Sequence, residues 1–262
     1  MRQLRGYWRT AAMAASAFVG DSRLFLFDYA LRLLRVLLLL ALWRQILGPD
    51  GKAASYTTAT VLTYTLIAEV FADQLAARTE LVQTFWEGTF VNRLLQPVGL
   101  VGLFVSEMVG RWLFNLAIFS LPLLLLSPLL GVDPRPASFG AAALFVASLV
   151  LAVSVGVALD FIFGGLTIAL EAPVWLIEYV RGAIVAVLSG VLLPLDLLPW
   201  GLGAILDYLP FAATASTPLR IYVGTGAALP LMLVQLGWSV VLWPLALWIW
   251  AANRERVVGY GG

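Results

Sequence analysis

The side chains most able to do chemistry in this 262-residue chain are charges set into apolar stretches. They are Asp28, Arg32 and Arg35; Glu69 and Asp73; Glu107 and Arg111; and Asp160, Glu171, Glu178 and Arg181. A charge in hydrocarbon costs about 2.5–3.5 kcal/mol on insertion scales, so each marks either internal pairing or a place that handles ions, protons or charged cargo. Glu107 and Arg111, four apart with the acid first, predict an intrahelical pair, with substrate contact as the alternative. Glu178 and Arg181, three apart, predict a second pair. Asp160 has no partner along the sequence. Glu69 and Asp73 put like charges on one helical face and call for a cation, which Arg32 or Arg35 can supply. Asp160, Glu171, Glu178 and Arg181 together would make an acidic cavity suited to cationic amphiphiles.

Other chemistries are closed off. The chain has no Cys and no His, so disulfides, His-based relays and Cys or His metal sites are excluded. There is no HExxH, no metal-ligand cluster and no constellation that reads as catalytic. Net charge is +1 without a basic run, which leaves no electrostatic footprint for nucleic acid. Arg outnumbers Lys fifteen to one, as a GC-rich prokaryotic genome would produce.

The elements that position these charges follow from composition. Hydrophobic residues make up 61% of the chain and charged residues 12%, with a mean hydropathy of +0.94. Soluble chains carry about 45–50% apolar and 25% charged residues. An all-α integral membrane protein is expected, as a single transmembrane unit. Six apolar segments approach the ~20 residues needed to cross a bilayer. They are residues 24–46, 56–77, 98–126, 139–168, 173–193 and 229–252, the third bent near Pro122. Residues 1–22 place Leu4, Tyr7, Trp8, Ala11, Ala15 and Phe18 opposite Arg2, Arg5 and Arg9. This predicts an interfacial helix rather than a cleaved signal. Counting Arg and Lys gives eight on the N-terminal side of the membrane and four on the other, which sets both termini in the cytoplasm.

Two connecting segments are too apolar for plain loops. Residues 79–96 carry Leu81, Phe85, Trp86, Phe90, Leu94 and Leu95 at helical spacing, with Glu80, Glu87 and Arg93 polar. A cytoplasmic amphipathic helix is expected, lying on the membrane or docked to a partner. Residues 194–228, on the outer side, combine Pro194, Pro199, Pro210 and Pro218 with many apolar side chains. Prolines at that density exclude one long helix. Short helices dipping into the outer leaflet are expected instead, buried in protein or lining a wet cavity.

The stretch from Ser189 to Gly224 resembles the signature of ABC-2 type permeases. Ser189-Gly190 ends a span, a Pro-rich hairpin with Pro194 and Pro199 follows, and Leu209-Pro210-Phe211 and Pro218 precede Gly224. Glu87-Gly88 followed by Leu94-Leu95-Gln96-Pro97 is similar to the family's cytoplasmic segment. The N-terminal helix, six spans and length also match, so the resemblance covers essentially the whole chain. It implies an outer re-entrant hairpin at 194–228. It further implies the membrane subunit of an exporter, paired with an identical or related permease through spans one and five and the outer hairpins. Residues 79–96 would be the coupling helix, with Phe85, Trp86, Glu87, Gly88, Phe90 and Arg93 facing a separate ATPase dimer. The chain has no Gly-x-x-x-x-Gly-Lys-Ser/Thr and a single Lys, Lys52, so ATP and Mg would reside on that partner.

Several functions remain open on these grounds. The first is export of hydrophobic or amphiphilic small molecules, cationic ones included, across a prokaryotic inner membrane, with Asp160, Glu178, Arg181 and Glu107 as pathway candidates. The same machinery exporting a lipid-linked glycan or polysaccharide is the second. A secondary transporter using Glu69, Asp73, Glu107 and Asp160 is the third, although no matching pair of broken spans signals inverted repeats.

Overall fold

The computed structural model describes residues 7, 10–13, 22–95 and 99–253. Most of the expected interfacial helix, together with Gln96, Pro97, Arg254 and Arg256, lies outside these residues, as do the side chains of Asp28, Trp86 and Leu94. Tyr7 and Thr10–Met13 are helical, and Tyr7 and Ala11 press against Gly102 and Gly110.

The described chain is helical apart from one small hairpin. Helix α1 (Ser22–Leu47) leads to β1 (Lys52–Ala53) and β2 (Tyr56–Thr57), paired antiparallel with Lys52 opposite Thr57. Helices α2 (Thr58–Val70) and α3 (Ala72–Ala76) follow, then α4 (Leu81–Trp86) and α5 (Phe90–Leu94). Three long helices are α6 (Leu100–Leu126), α7 (Phe139–Ala169) and α11 (Ala228–Ala252). Between the last two come α8 (Val174–Leu188), short turns at 195–201 and 212–214, α9 (Leu202–Leu206) and α10 (Ser216–Val223).

Only α6, α7 and α11, among the described residues, are both long and apolar enough to cross a membrane. The other three expected spans differ for identifiable reasons. Helix α1 has the length, 26 residues, but carries Arg23, Asp28, Arg32, Arg35 and Arg44. The second apolar segment breaks at Phe71, with φ −105° and ψ 20°, and ends at Ala77 in the left-handed region. The fifth stops at Leu188, and Gly190 turns the chain at φ +79°. Fifteen helical residues span about 22 Å at ~1.5 Å each, short of the ~30 Å hydrocarbon.

Helix α7 is the axis of the molecule, packed by α11, α10, α3, α8 and α4. Its small residues allow this. A Cβ on Gly156 would sit 2.4 Å from the Ala77 Cβ, and one on Gly165 would sit 2.4 Å from Ile249 Cγ2. Ser138 caps its start by accepting the Ala141 N–H at 3.0 Å. Buried Gln235 on α11 accepts from the Ser148 hydroxyl at 2.8 Å and donates to the Ala213 carbonyl at 2.7 Å. One core cluster centres on Phe104, Met108, Phe161 and Ile249, another on Tyr56, Tyr64, Phe145 and Leu219. Outside these, Leu38, Val146, Val150, Val240 and Trp248 are exposed, as suits helices surrounded by lipid.

Candidate functional site

Charged partners converge on the segment from Ala77 to Leu95. Arg78 pairs with Glu178 on α8 at 3.8 Å. The Thr79 backbone N–H donates to Asp160 Oδ2 on α7 at 3.0 Å, and its hydroxyl donates to the same oxygen. Asp160 Oδ1 faces Arg181 of α8 at 2.8 Å, with the two side chains 1% and 2% exposed. Glu80 pairs with Arg111, and Arg93 pairs with Glu107, both on α6. Three helices therefore hold one connecting segment by charge.

This arrangement corrects three expectations. Glu107 and Arg111 do not pair with each other, nor do Glu178 and Arg181, and Asp160 is not unpartnered. An i, i+4 pair only joins a helix to itself. Here the connecting segment brings opposite charges across, and the pairs at Asp160 and Glu107 also neutralise carboxylates buried between elements. The expectation for Glu69 and Asp73 holds: Arg35 pairs with Glu69 and Arg32 with Asp73, the latter at 3.7 Å, and Asn115 also donates to Asp73.

The segment is two short helices, not one. The break falls at Glu87-Gly88, where Gly88 takes φ +66°. Among the described residues beyond its chain neighbours, nothing lies within 4 Å of a Cβ built there, so the turn itself requires the glycine. Phe90 is buried and Phe85 half-buried; their rings lie 4.6 Å apart and 5.8 and 6.0 Å from Trp250 of α11. Trp250 Nε1 is itself anchored on the Phe161 carbonyl at 2.8 Å. Phe85 and Phe90 are thus spent on their own protein, while Gln83, Glu87, Gly88 and Asn92 face outward. Gln83 Nε2 donates to Glu87 Oε1 at 2.9 Å.

A cavity of 550 Å³ opens beside the segment among α1, α3 and α8, lined by Arg32, Arg35, Glu69, Asp73, Arg78 and Val185 among others. A second of 310 Å³ adjoins it, with Glu80, Arg111 and Asn115 in its wall. Asp160, Glu178, Arg181 and Glu107 line neither. In the larger cavity arginines mix with acids, and in the Arg35–Glu69 pair the cation is the exposed member, 52% against 8%.

The 194–228 segment is a chain of short helices tied together by polar side chains. Pro194 and Pro218 are buried, Pro199 starts a turn, and half-buried Pro210 and Phe211 lead into 212–214. Arg220 lies between Asp196, at 3.4 Å, and Asp207. Burial alone would lower the Arg220 pKa, yet the Asp207 hydrogen bond and the two carboxylate charges carry it above its ordinary value. Tyr56 donates to Asp196 at 3.1 Å and accepts from the Thr225 hydroxyl at 3.1 Å. Tyr64 donates to the Gly190 carbonyl at 2.6 Å, and Ser216 N–H donates to the Ser189 carbonyl at 2.8 Å. The sequence reading missed Thr79 and this Arg220 cluster. An apolar hairpin holding two Asp and one Arg was a visible signal for the cluster; a Thr in a connecting segment gave none.

Compared with known proteins, residues 29–261 match a family model described as ABC-2 family transporter protein. No curated protein matches the chain.

Proposed function

The chain belongs to the ABC-2 family of transporter proteins, and from that premise we propose that it is the permease half of an ATP-driven exporter. In this reading it crosses the inner membrane of a prokaryote six times with both termini in the cytoplasm. A second permease, identical or related, completes the pathway, and a separate ATPase dimer supplies ATP and Mg. Residues 194–228 form the outer re-entrant hairpin.

The observation that carries the proposal is the grip on residues 78–93. A surface-bound helix needs only lipid beneath it. This segment is instead joined to α6, α7 and α8 by charge pairs and to α11 by stacked rings, and it presents a polar turn outward. A rigid knob of that kind suits seating in a groove of the ATPase. In this reading the exposed Glu87 and Gly88 form its tip. Phe85, Phe90 and Arg93 support it from behind, since their partners lie within the chain.

The cargo is a hydrophobic or amphiphilic small molecule, for which the open cavity among α1, α3 and α8 supplies mixed apolar and charged walls. Its arginines give no support to a preference for cations. A lipid-linked glycan remains the alternative cargo. The ion-driven alternative loses its ground, because Glu69, Asp73, Glu107 and Asp160 are each engaged by an arginine.

The test replaces Glu87 and Asn92 with Arg together. The double variant is expected to insert normally and to lose at least ten-fold in ATPase copurification. Undiminished copurification sinks the docking role.

A further inference from the structure

We propose that Thr79, Asp160 and Arg181 are positioning residues that carry the movement of the 79–95 segment into α7 and α8, and through α7 to the 194–228 segment. This rests on the permease reading above.

One carboxylate fixes three elements. Asp160 Oδ2 takes both the N–H and the hydroxyl of Thr79, and the same hydroxyl accepts the Leu81 N–H at 3.2 Å, which orients the first turn of α4. Asp160 Oδ1 holds Arg181 on α8, and Arg181 also donates to the Ala76 carbonyl at 3.5 Å. The neighbouring pairs differ in kind. In Arg78–Glu178 the side chains are 50% and 33% exposed, and in Arg111–Glu80 they are 18% and 45% exposed. Water can replace a partner there when elements shift. Asp160 and Arg181 are 1% and 2% exposed, so a displaced partner would leave a buried charge uncompensated, and the joint is stiff.

The far end of α7 completes the path. Phe145 packs edge-on against Tyr222 of α10 at 5.0 Å, and the Ala137 N–H donates to the Tyr222 carbonyl at 2.9 Å. From Phe145 to Asp160 the helix is unbroken, about 22 Å at ~1.5 Å per residue. Gly156, one turn before Asp160, seats Ala77 directly on this helix. A shift of the segment is thus delivered to one end of a rigid rod whose other end abuts the hairpin.

The chain has no native Cys, so single labels are clean. Spin labels on Leu95→Cys and, separately, Ile205→Cys, both exposed, are read in the complex with the copurifying ATPase. Each is measured nucleotide-free and trapped with MgATP and vanadate. The parent chain is expected to change at both labels. Thr79→Val, which removes the hydroxyl and keeps the size, is expected to keep the change at 95 and lose it at 205. Thr79→Ser is expected to restore it. Arg181→Lys serves as a second variant, with the same loss at 205, should Thr79→Val fail to reach the membrane. A variant with the ATPase bound and both changes intact overturns the inference and leaves the permease reading standing. A parent chain that responds at neither label overturns both.

Discussion

At the scale of single residues, two glycines on α7 and α11 make opposite demands. Gly156 faces Ala77, whose backbone is fixed by a left-handed φ of 40° and by its N–H on the Asp73 carbonyl at 3.0 Å. A methyl added at Gly156 lands 2.4 Å from the Ala77 Cβ, and neither backbone can yield cheaply. Overpacking of this kind costs about 1–3 kcal/mol. Among the described residues nothing lies within 4 Å of a would-be Cβ on Gly237 of α11, so alanine there gains helix propensity of up to ~1 kcal/mol. Gly156→Ala is therefore expected to lower the unfolding temperature by several degrees, while Gly237→Ala holds or raises it. Thermal unfolding in detergent decides. Equal behaviour of the two variants would mean that the seat of Ala77 on α7 is not close-packed. The same contact explains what sequence could not show. Gly156, Gly164 and Gly165 look alike in a hydropathy profile, yet they receive Ala77, Leu81 and Ile249 from different parts of the chain.

At the scale of elements, hydrophobicity was legible wherever a helix is uniform. The expected segments 139–168 and 229–252 fall on α7 and α11, two of the helices long and apolar enough to cross a membrane. It was less legible where the backbone breaks inside apolar sequence. Phe71 and Gly190 turn the chain inside largely apolar sequence, whereas the turn at Ala77 coincides with the polar Arg78-Thr79-Glu80 and with the expected end of the second segment. The charges were legible as functional candidates but not as pairs. Spacing along a helix proposes local partners such as Glu107 and Arg111, whereas the connecting segment supplies charges of its own, Arg93 and Glu80, that pair with them instead. Arg35–Glu69 succeeded because α1 and α2 are neighbours in both sequence and space. Orientation is the open property at this scale. Ser55, in the turn between β1 and β2, and Asn92 on α5 are both exposed and sit on connections of opposite expected sidedness. Ser55→Cys is expected to react with an impermeant maleimide in intact cells. Asn92→Cys should react only after the membrane is opened. The reverse pattern would invert the topology and move the 79–95 segment away from any cytoplasmic ATPase.

At the scale of the whole molecule, the decisive feature is a surface that one copy leaves unfinished. Arg35, half exposed in the middle of α1, faces the open cavity among α1, α3 and α8. Against lipid such a charge costs about 2.5–3.5 kcal/mol, so that side of the helix demands a wet cavity or a protein neighbour. Around it Leu31, Leu34, Leu38 and Leu42 are 49%, 51%, 60% and 52% exposed, enough apolar surface for a second subunit to cover. A partner permease across α1 and α8 would close the cavity from both sides and turn two open pockets into one enclosed path. Leu38 stands one helical turn from Arg35 on this side. Val150 on α7, 66% exposed with no charge of its helix nearby, fits a purely lipid-facing position. Leu38→Cys is therefore expected to cross-link in native membranes, with a second copy or a related permease, under oxidation too mild to join Val150→Cys. Cross-linking at 150 but not at 38 would place the contact on another face and leave the α1 cavity open to lipid. Capture of neither, alongside strictly monomeric protein after mild solubilisation, would remove the half-permease from the account altogether.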